Sequence, residues 1–205
     1  MLEAAELECE RGGRVLFRGL SFALRAGESL RVAGANGSGK TSLLRILCGL
    51  LPPASGEVRW RGAAVQQLRE DYSRELVYLG HAPAVKDDLS AAENLSISCA
   101  LAGMPAAEET VTEALARFGL AGKRQLSRRL SQGQRRRAAL ARLALSASRP
   151  LWLLDEPFSA LDVAGVALLR GLIEAHLERG GAVIFTTHQD AGVATARVID
   201  IDALS

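Results

Sequence analysis

The 205 residues make room for one domain, or for one domain carrying an inserted lobe. A hydrophobic share of 48% supports a sizeable core and excludes a disordered or fibrous chain, while 4% aromatics leaves that core to Leu, Ala, Val and Ile. A formal net charge of +2 excludes a polycation.

The start, Met1-Leu-Glu-Ala-Ala-Glu6, is acidic and has neither basic leader nor apolar run, so no signal peptide is expected. No window approaches the ~20 consecutive apolar residues that span a bilayer. Cys9, Cys48 and Cys99 are scattered without metal-ligand spacing, which reads as a reducing compartment, with Cys48 packed as a small apolar residue. These features describe a soluble intracellular chain whose membrane role, if any, comes through a partner.

In chain order, Glu28–Gly34 reads as a strand running into a Gly-rich turn. Leu43, Leu44, Leu47 and Leu50 then repeat at helical spacing across Thr41–Leu50, with Gly49 and Pro52-Pro53 as stop signals. Leu76–Leu79, Leu151–Leu154 and Ala182–Thr186 are short apolar runs of the kind that form strands buried on both faces. Between them, Ser90 to Leu120 is Ala- and Glu-rich and reads as a helical lobe. His176, between Glu174 and Glu178 on a later helix, reads as solvated. Strands bracketing helices imply an α/β layered fold with a largely parallel sheet, without internal repeat or linker.

Gly34-Ala35-Asn36-Gly37-Ser38-Gly39-Lys40-Thr41 fits the P-loop pattern G-x-x-x-x-G-K-[ST], set between a strand and a helix. Phosphates are large and anionic. They need a concave ring of backbone N–H groups and a helix N-terminus, which a Gly-rich loop supplies. Lys40 suits the β- and γ-phosphates and the Thr41 hydroxyl suits Mg²⁺. Leu151-Trp-Leu-Leu-Asp155-Glu156 supplies a second half: Asp155 at a strand end to hold the metal, and Glu156 to polarise an attacking water. Alone, that pair would be an ordinary strand-ending turn.

From Arg117 to Arg149 there are ten cations (Arg117, Lys123, Arg124, Arg128, Arg129, Arg135, Arg136, Arg137, Arg142, Arg149) and no acid. The run reads as a solvated helix face, a nucleic-acid patch or an anion site, and the interleaved aromatics that would favour nucleic acid are missing. Inside it, Leu130-Ser131-Gln132-Gly133-Gln134 precedes a good helix, so a hydroxyl and a glycine stand at a helix start.

These motifs in this order, with Pro157-Phe-Ser-Ala-Leu-Asp162 and Thr186-Thr-His188, resemble those of the ATP-binding-cassette (ABC) ATPases over essentially the whole chain. The resemblance implies a P-loop cassette with a parallel sheet core, an N-terminal antiparallel β region and a helical subdomain inserted over roughly 85–145. It implies nucleotide contacts from Gly34, Ala35, Asn36, Gly37, Ser38, Gly39, Lys40, Thr41 and Ser42, and Mg²⁺ on Thr41 and Asp155. Glu156 would be the base, Asp162 the D-loop aspartate and His188 the sensor of the γ-phosphate. Ser131, Gln132, Gly133 and Gln134 would form the signature motif, closing on ATP from a second cassette, so that a homodimer hydrolyses it and the basic run faces the triphosphate. His81 stands where the family places its Q-loop glutamine, and Arg11 where it places an adenine-stacking aromatic.

Leu2–Arg11, Leu16–Phe22, Leu79-Gly-His81, Pro83, Lys86 and Ala91–Leu95 resemble one subgroup, the ATP-binding subunit of the haem exporter of cytochrome c maturation. That resemblance implies a peripheral ATPase held on the cytoplasmic face of the bacterial inner membrane by an integral membrane subunit. It would drive haem export or release of the haem-loaded chaperone without touching haem itself, as the missing C-x-x-C-H motif also suggests. The rivals are the energy subunit of another ABC exporter, for drug, polysaccharide or lipid, and a soluble cassette ATPase acting on nucleic acid or ribosomes. A nucleotide-gated module without hydrolysis is a third, opposed by Glu156.

Overall fold

A computed structural model describes residues 1–122, 125–188, 192–193 and 197–204. Lys123 and Arg124 of the basic run lie outside the described residues. Among the described residues, no helix is long and apolar enough to cross a membrane.

The first strands, β1 (Leu2–Arg11) and β2 (Arg14–Leu24), form a hairpin. With β4 (Ser55–Trp60) and β5 (Ala63–Ala64) they make an antiparallel sheet in the order β2-β1-β4-β5. The second sheet takes β3 (Ser29–Ala33), β6 (Leu76–Leu79), β7 (Leu151–Leu154), β8 (Ala182–Thr186) and β9 (Arg197–Asp200) in the order β6-β7-β8-β3-β9, with every pairing parallel.

The all-apolar runs conceal an alternation. In β7 and β8, Leu151, Leu153, Ala182 and Ile184 pack toward the antiparallel sheet and the helix after the P-loop. Trp152, Leu154, Val183 and Phe185 pack toward the helices formed between residues 91 and 178. A parallel sheet covered on both faces needs such strands, because every second residue serves a different core.

The helix α1 spans Lys40–Leu47, shorter than the expected Thr41–Leu50. Gly49, at φ 77°, ends it: its N–H donates to Ile46 O (3.0 Å) and that of Leu50 to Arg45 O (2.9 Å), closing a Schellman turn. Two short helices, α2 (Val65–Leu68) and α3 (Glu70–Glu75), lead into β6. The expected lobe is α4 (Ala91–Leu101) and α5 (Glu108–Arg117), packed with α6 (Gln132–Ala144) around Leu95, Cys99, Val111, Phe118 and Leu140. Ser90 and Glu93 form a capping box on α4. Buried Asn94 then pins the preceding loop: Oδ1 accepts from Lys86 N, and Nδ2 donates to Lys86 O, Leu89 O, Ser90 O and Ser127 Oγ.

His176 overturns its sequence reading. On α7 (Val163–Glu178) it is buried and stacks on Trp152, with ring centroids 3.9 Å apart and planes 7° apart. Glu174 and Glu178 lie two residues away and share no helix face with it, whereas Leu169, Leu172 and Ile173 fall on its buried stripe.

Candidate functional site

Because β3, β6, β7 and β8 run parallel and in register, their carboxyl ends emerge along one edge. Four segments leave there: the P-loop after β3, Gly80-His81 after β6, Asp155-Glu156 after β7 and Thr187-His188 after β8. Such an edge is where open α/β sheets place ligands.

The P-loop reaches α1 through Gly39, whose φ of 109° suits glycine. A Cβ there would lie 3.1 Å from Leu16 Cβ and 3.3 Å from Phe17 Cδ1, so the loop sits against β2. The first-turn N–H groups of α1 lack helical acceptors and carry the positive end of the helix dipole. Lys40 is almost buried; its Nζ donates to Gly34 O and Ala35 O, both at 2.8 Å. Ala35 N–H donates to Asp202 Oδ2 (2.7 Å), tying the loop to the turn Ile201–Leu204.

Thr41 Oγ1 donates to Asp155 Oδ2 (2.7 Å), and Thr186 Oγ1 to Asp155 Oδ1 (2.8 Å). Asp155 is 1% exposed, so a carboxylate is held in the interior by two hydroxyls. A buried anion of this kind calls for a cation, and an oxygen-only set of hydroxyl and carboxylate suits hard Mg²⁺. The residues present therefore fit the metal.

Glu156 has φ 48°, a left-handed conformation that costs a non-glycine residue about 1–2 kcal/mol. Hydrogen bonds hold it there: its N–H donates to Thr186 Oγ1 (2.7 Å) and its carbonyl accepts from Arg136 Nη2 (2.6 Å). His188 Nε2 lies 3.3 Å from Glu156 Oε1, an ion pair whenever the imidazole is protonated.

A cleft of about 530 Å³ unites Asn36, Gly37, Gly39, Lys40, Thr41, Ser42, His81, Asp155, Glu156 and His188, in the size range of small-molecule sites. Gly34, Ala35 and Ser38 are not among its lining residues; the carbonyls of the first two accept from Lys40 Nζ. Leu16 and Ser159 also line it, and neither carries a sequence signal for the role.

Arg11 does not line the cleft, because the β1–β2 hairpin turns at Gly12-Gly13 and leaves it exposed opposite Arg14. Leu16, further along β2, meets the P-loop instead. Ser131, Gln132, Gly133 and Gln134 also lie outside the cleft, at the start of α6. Ser131 Oγ accepts from Gln134 N, and Gln134 Oε1 from Ser131 N, in a second capping box. Asp162, likewise outside, caps α7 by accepting from Gly165 N (2.9 Å).

The basic run is not one phosphate-facing surface. Arg136 and Arg149 are buried and donate to main-chain carbonyls, the latter to Ala102 O at 2.6 Å. Arg135 pairs with Asp87 (2.7 Å) and Arg128 with Asp88 (3.1 Å). A long cationic side chain can turn inward where buried carbonyls need a donor, and composition does not reveal that.

The profile of a family described as ABC transporter matches residues 17–159, which carry the P-loop, the α6 motif and Asp155-Glu156. The chain belongs to the ABC transporter family. This cassette is 53% identical to a cytochrome c biogenesis ATP-binding export protein of Nitrosomonas europaea, covering 97% of this chain and 93% of that protein. It is 53% identical to the protein of the same name in Aromatoleum aromaticum (100% and 97%) and 48% to that in Pseudomonas aeruginosa (99% and 100%). Among solved structures it superposes on the ATP-binding subunit of an ABC transporter, with a TM-score of 0.82, 23% identity and coverage of 94% and 81%. It also superposes on an ATP-binding cassette solved as a post-hydrolysis dimer with ADP and Pi, with a TM-score of 0.83, 24% identity and coverage of 98% and 94%. These two likenesses fix the fold.

Proposed function

We propose that this chain is the ATP-hydrolysing subunit of an ABC export complex in cytochrome c biogenesis. It would power haem export or release of the haem-loaded chaperone, as a peripheral homodimer of cassettes on the cytoplasmic face of the inner membrane beside an integral membrane subunit. The whole chain would act as one cassette, with the lobe over roughly 85–145 inserted in its core. Relatives of about half identity over nearly the full length support the process. The observation that carries the chemistry is one cleft shared by Lys40, Thr41, Asp155, Glu156 and His188.

In this reading the N–H groups opening α1 and the Lys40 ammonium bind the β- and γ-phosphates of ATP, exchanging the carbonyl contacts of Lys40 for charged ones. Leu16 offers the adenine ring of ATP an apolar contact. Thr41 and Asp155 would hold Mg²⁺, which when bound neutralises phosphate charge. Glu156 accepts a proton from the attacking water as the water oxygen bonds to Pγ and the bond from Pγ to the ADP oxygen breaks. His188, beside Glu156 Oε1, orients that carboxylate and meets the γ-phosphate. The second cassette closes the site with Ser131 and Gly133, where the N-terminus of α6 presents positive charge.

Glu156→Gln tests the proposal. It should keep ATP affinity, lower turnover at least about a hundredfold, and give a particle of doubled mass on gel filtration with ATP. Turnover at the normal rate would remove Glu156 from the role of base. Recovery of cytochrome c assembly proteins with the tagged chain from solubilised membranes tests the process, and recovery of another exporter's subunits would overturn it.

A further inference from the structure

Arg136, on the second turn of α6, is 4% exposed and leaves the basic run for the interior. Its Nη1 donates to Gly80 O (3.1 Å) and His81 O (3.0 Å), and its Nη2 to Asp155 O (2.8 Å) and Glu156 O (2.6 Å). One guanidinium thus grips four carbonyls on two of the segments that build the cleft. Burial disfavours its charge, and the nearby Asp155 and Glu156 carboxylates favour it.

The grip bears on one residue above all. Both peptide units flanking the Glu156 Cα are fixed: Arg136 holds the Asp155 and Glu156 carbonyls, and Thr186 holds the intervening N–H. A left-handed glutamate persists only when its surroundings over-determine it, and here they do. Arg136 sits five residues after Ser131 on the helix that Ser131 and Gln134 cap. A displacement of that helix start therefore reaches Glu156 and His81 through a single rigid, planar group.

We propose that Arg136 is a positioning residue for ATP hydrolysis: it sets the backbone of Glu156 and of His81, and couples both to the first turn of α6. This rests on the reading of Glu156 as base. Without the guanidinium, Glu156 relaxes toward ordinary dihedrals and its carboxylate leaves the water, while the phosphate cradle, built by other residues, is intact.

The test compares Arg136→Gln and Arg136→Lys with the unaltered full chain, alone and in its solubilised membrane complex. Amide hydrogen exchange should rise at least about tenfold in segments 79–83 and 155–159 of the Gln variant and stay unchanged across 29–47. MgATP affinity should hold within about threefold, kcat should fall at least about tenfold at unchanged KM, and Arg136→Lys should recover part of both losses. Unchanged exchange in both segments, or a rise confined to α6, overturns the proposal, as does full kcat with exchange raised. If Arg136→Gln does not fold, Arg136→Lys carries the same comparison. Failure of the ATPase reading looks different: the unaltered complex binds MgATP without turning it over, while exchange still reports the grip.

Discussion

The His176–Trp152 stack makes acid sensitivity calculable. Burial first, and then the positive charge of Arg179, hold the His176 imidazole down at about 4 from its ordinary 6.5. In the unfolded chain it titrates near 6.5, so between pH 6.5 and 4 the unfolded state binds the extra proton, and stability falls as pH drops through that window. The drop from 6.5 to about 4 corresponds to roughly 3 kcal/mol once both states are protonated, and about 2 kcal/mol of it is already lost at pH 5. His176→Phe keeps an aromatic ring against Trp152 and removes the proton. Urea unfolding from pH 7.5 to 5 should show the native chain losing about 2 kcal/mol more than the variant, whatever their offset at neutral pH. Parallel pH profiles would refute the reasoning.

Three further outcomes are expected. Lys40→Ala should lower ATP affinity at least about tenfold in equilibrium binding, because one buried ammonium is removed from the phosphates; unchanged affinity would count against the P-loop assignment. Ser131→Arg should abolish turnover while a monomer still binds ATP, with stability down about 1 kcal/mol from the broken capping box; normal turnover would remove the α6 turn from the composite site. Asn94→Leu, with the same branching and number of side-chain heavy atoms, should cost about 2–4 kcal/mol by stranding Lys86 N–H and several carbonyls in the interior. A chemical denaturation midpoint equal to that of the native chain would show that water replaces the amide.

Legibility in the sequence followed how local the determining physics is. The strands β6, β7 and β8 begin and end where their runs do, because strands of a parallel sheet covered on both faces are apolar at nearly every position. β1 breaks the simple alternation of a half-buried strand for a local reason. Leu2 and Ala4 face the core, then Leu7 and Cys9, and the change of parity comes from Glu6 at φ 49° beside a register shift. The catalytic candidates were visible because phosphate chemistry demands rare residues at fixed spacing. Leu16, Thr186 and Arg136 carry no such mark: an ordinary apolar residue, a strand-end hydroxyl and the middle of three arginines acquire meaning only from what tertiary packing brings near. His176 misled because neighbours in sequence are not neighbours on a helix.

The order of the parallel sheet has a further consequence. β8 lies between β3 and β7, so the chains delivering Lys40 and Asp155 stand two ladder spacings apart, about 9–10 Å. That gauge belongs to the hydrogen-bond lattice of the backbone, and no side-chain exchange can widen or narrow it. The middle strand floors the gap with Thr186, the hydroxyl that touches both acidic residues after β7. A slot ruled by main-chain geometry can therefore stay constant in width while the surfaces around it diverge to suit different membrane partners.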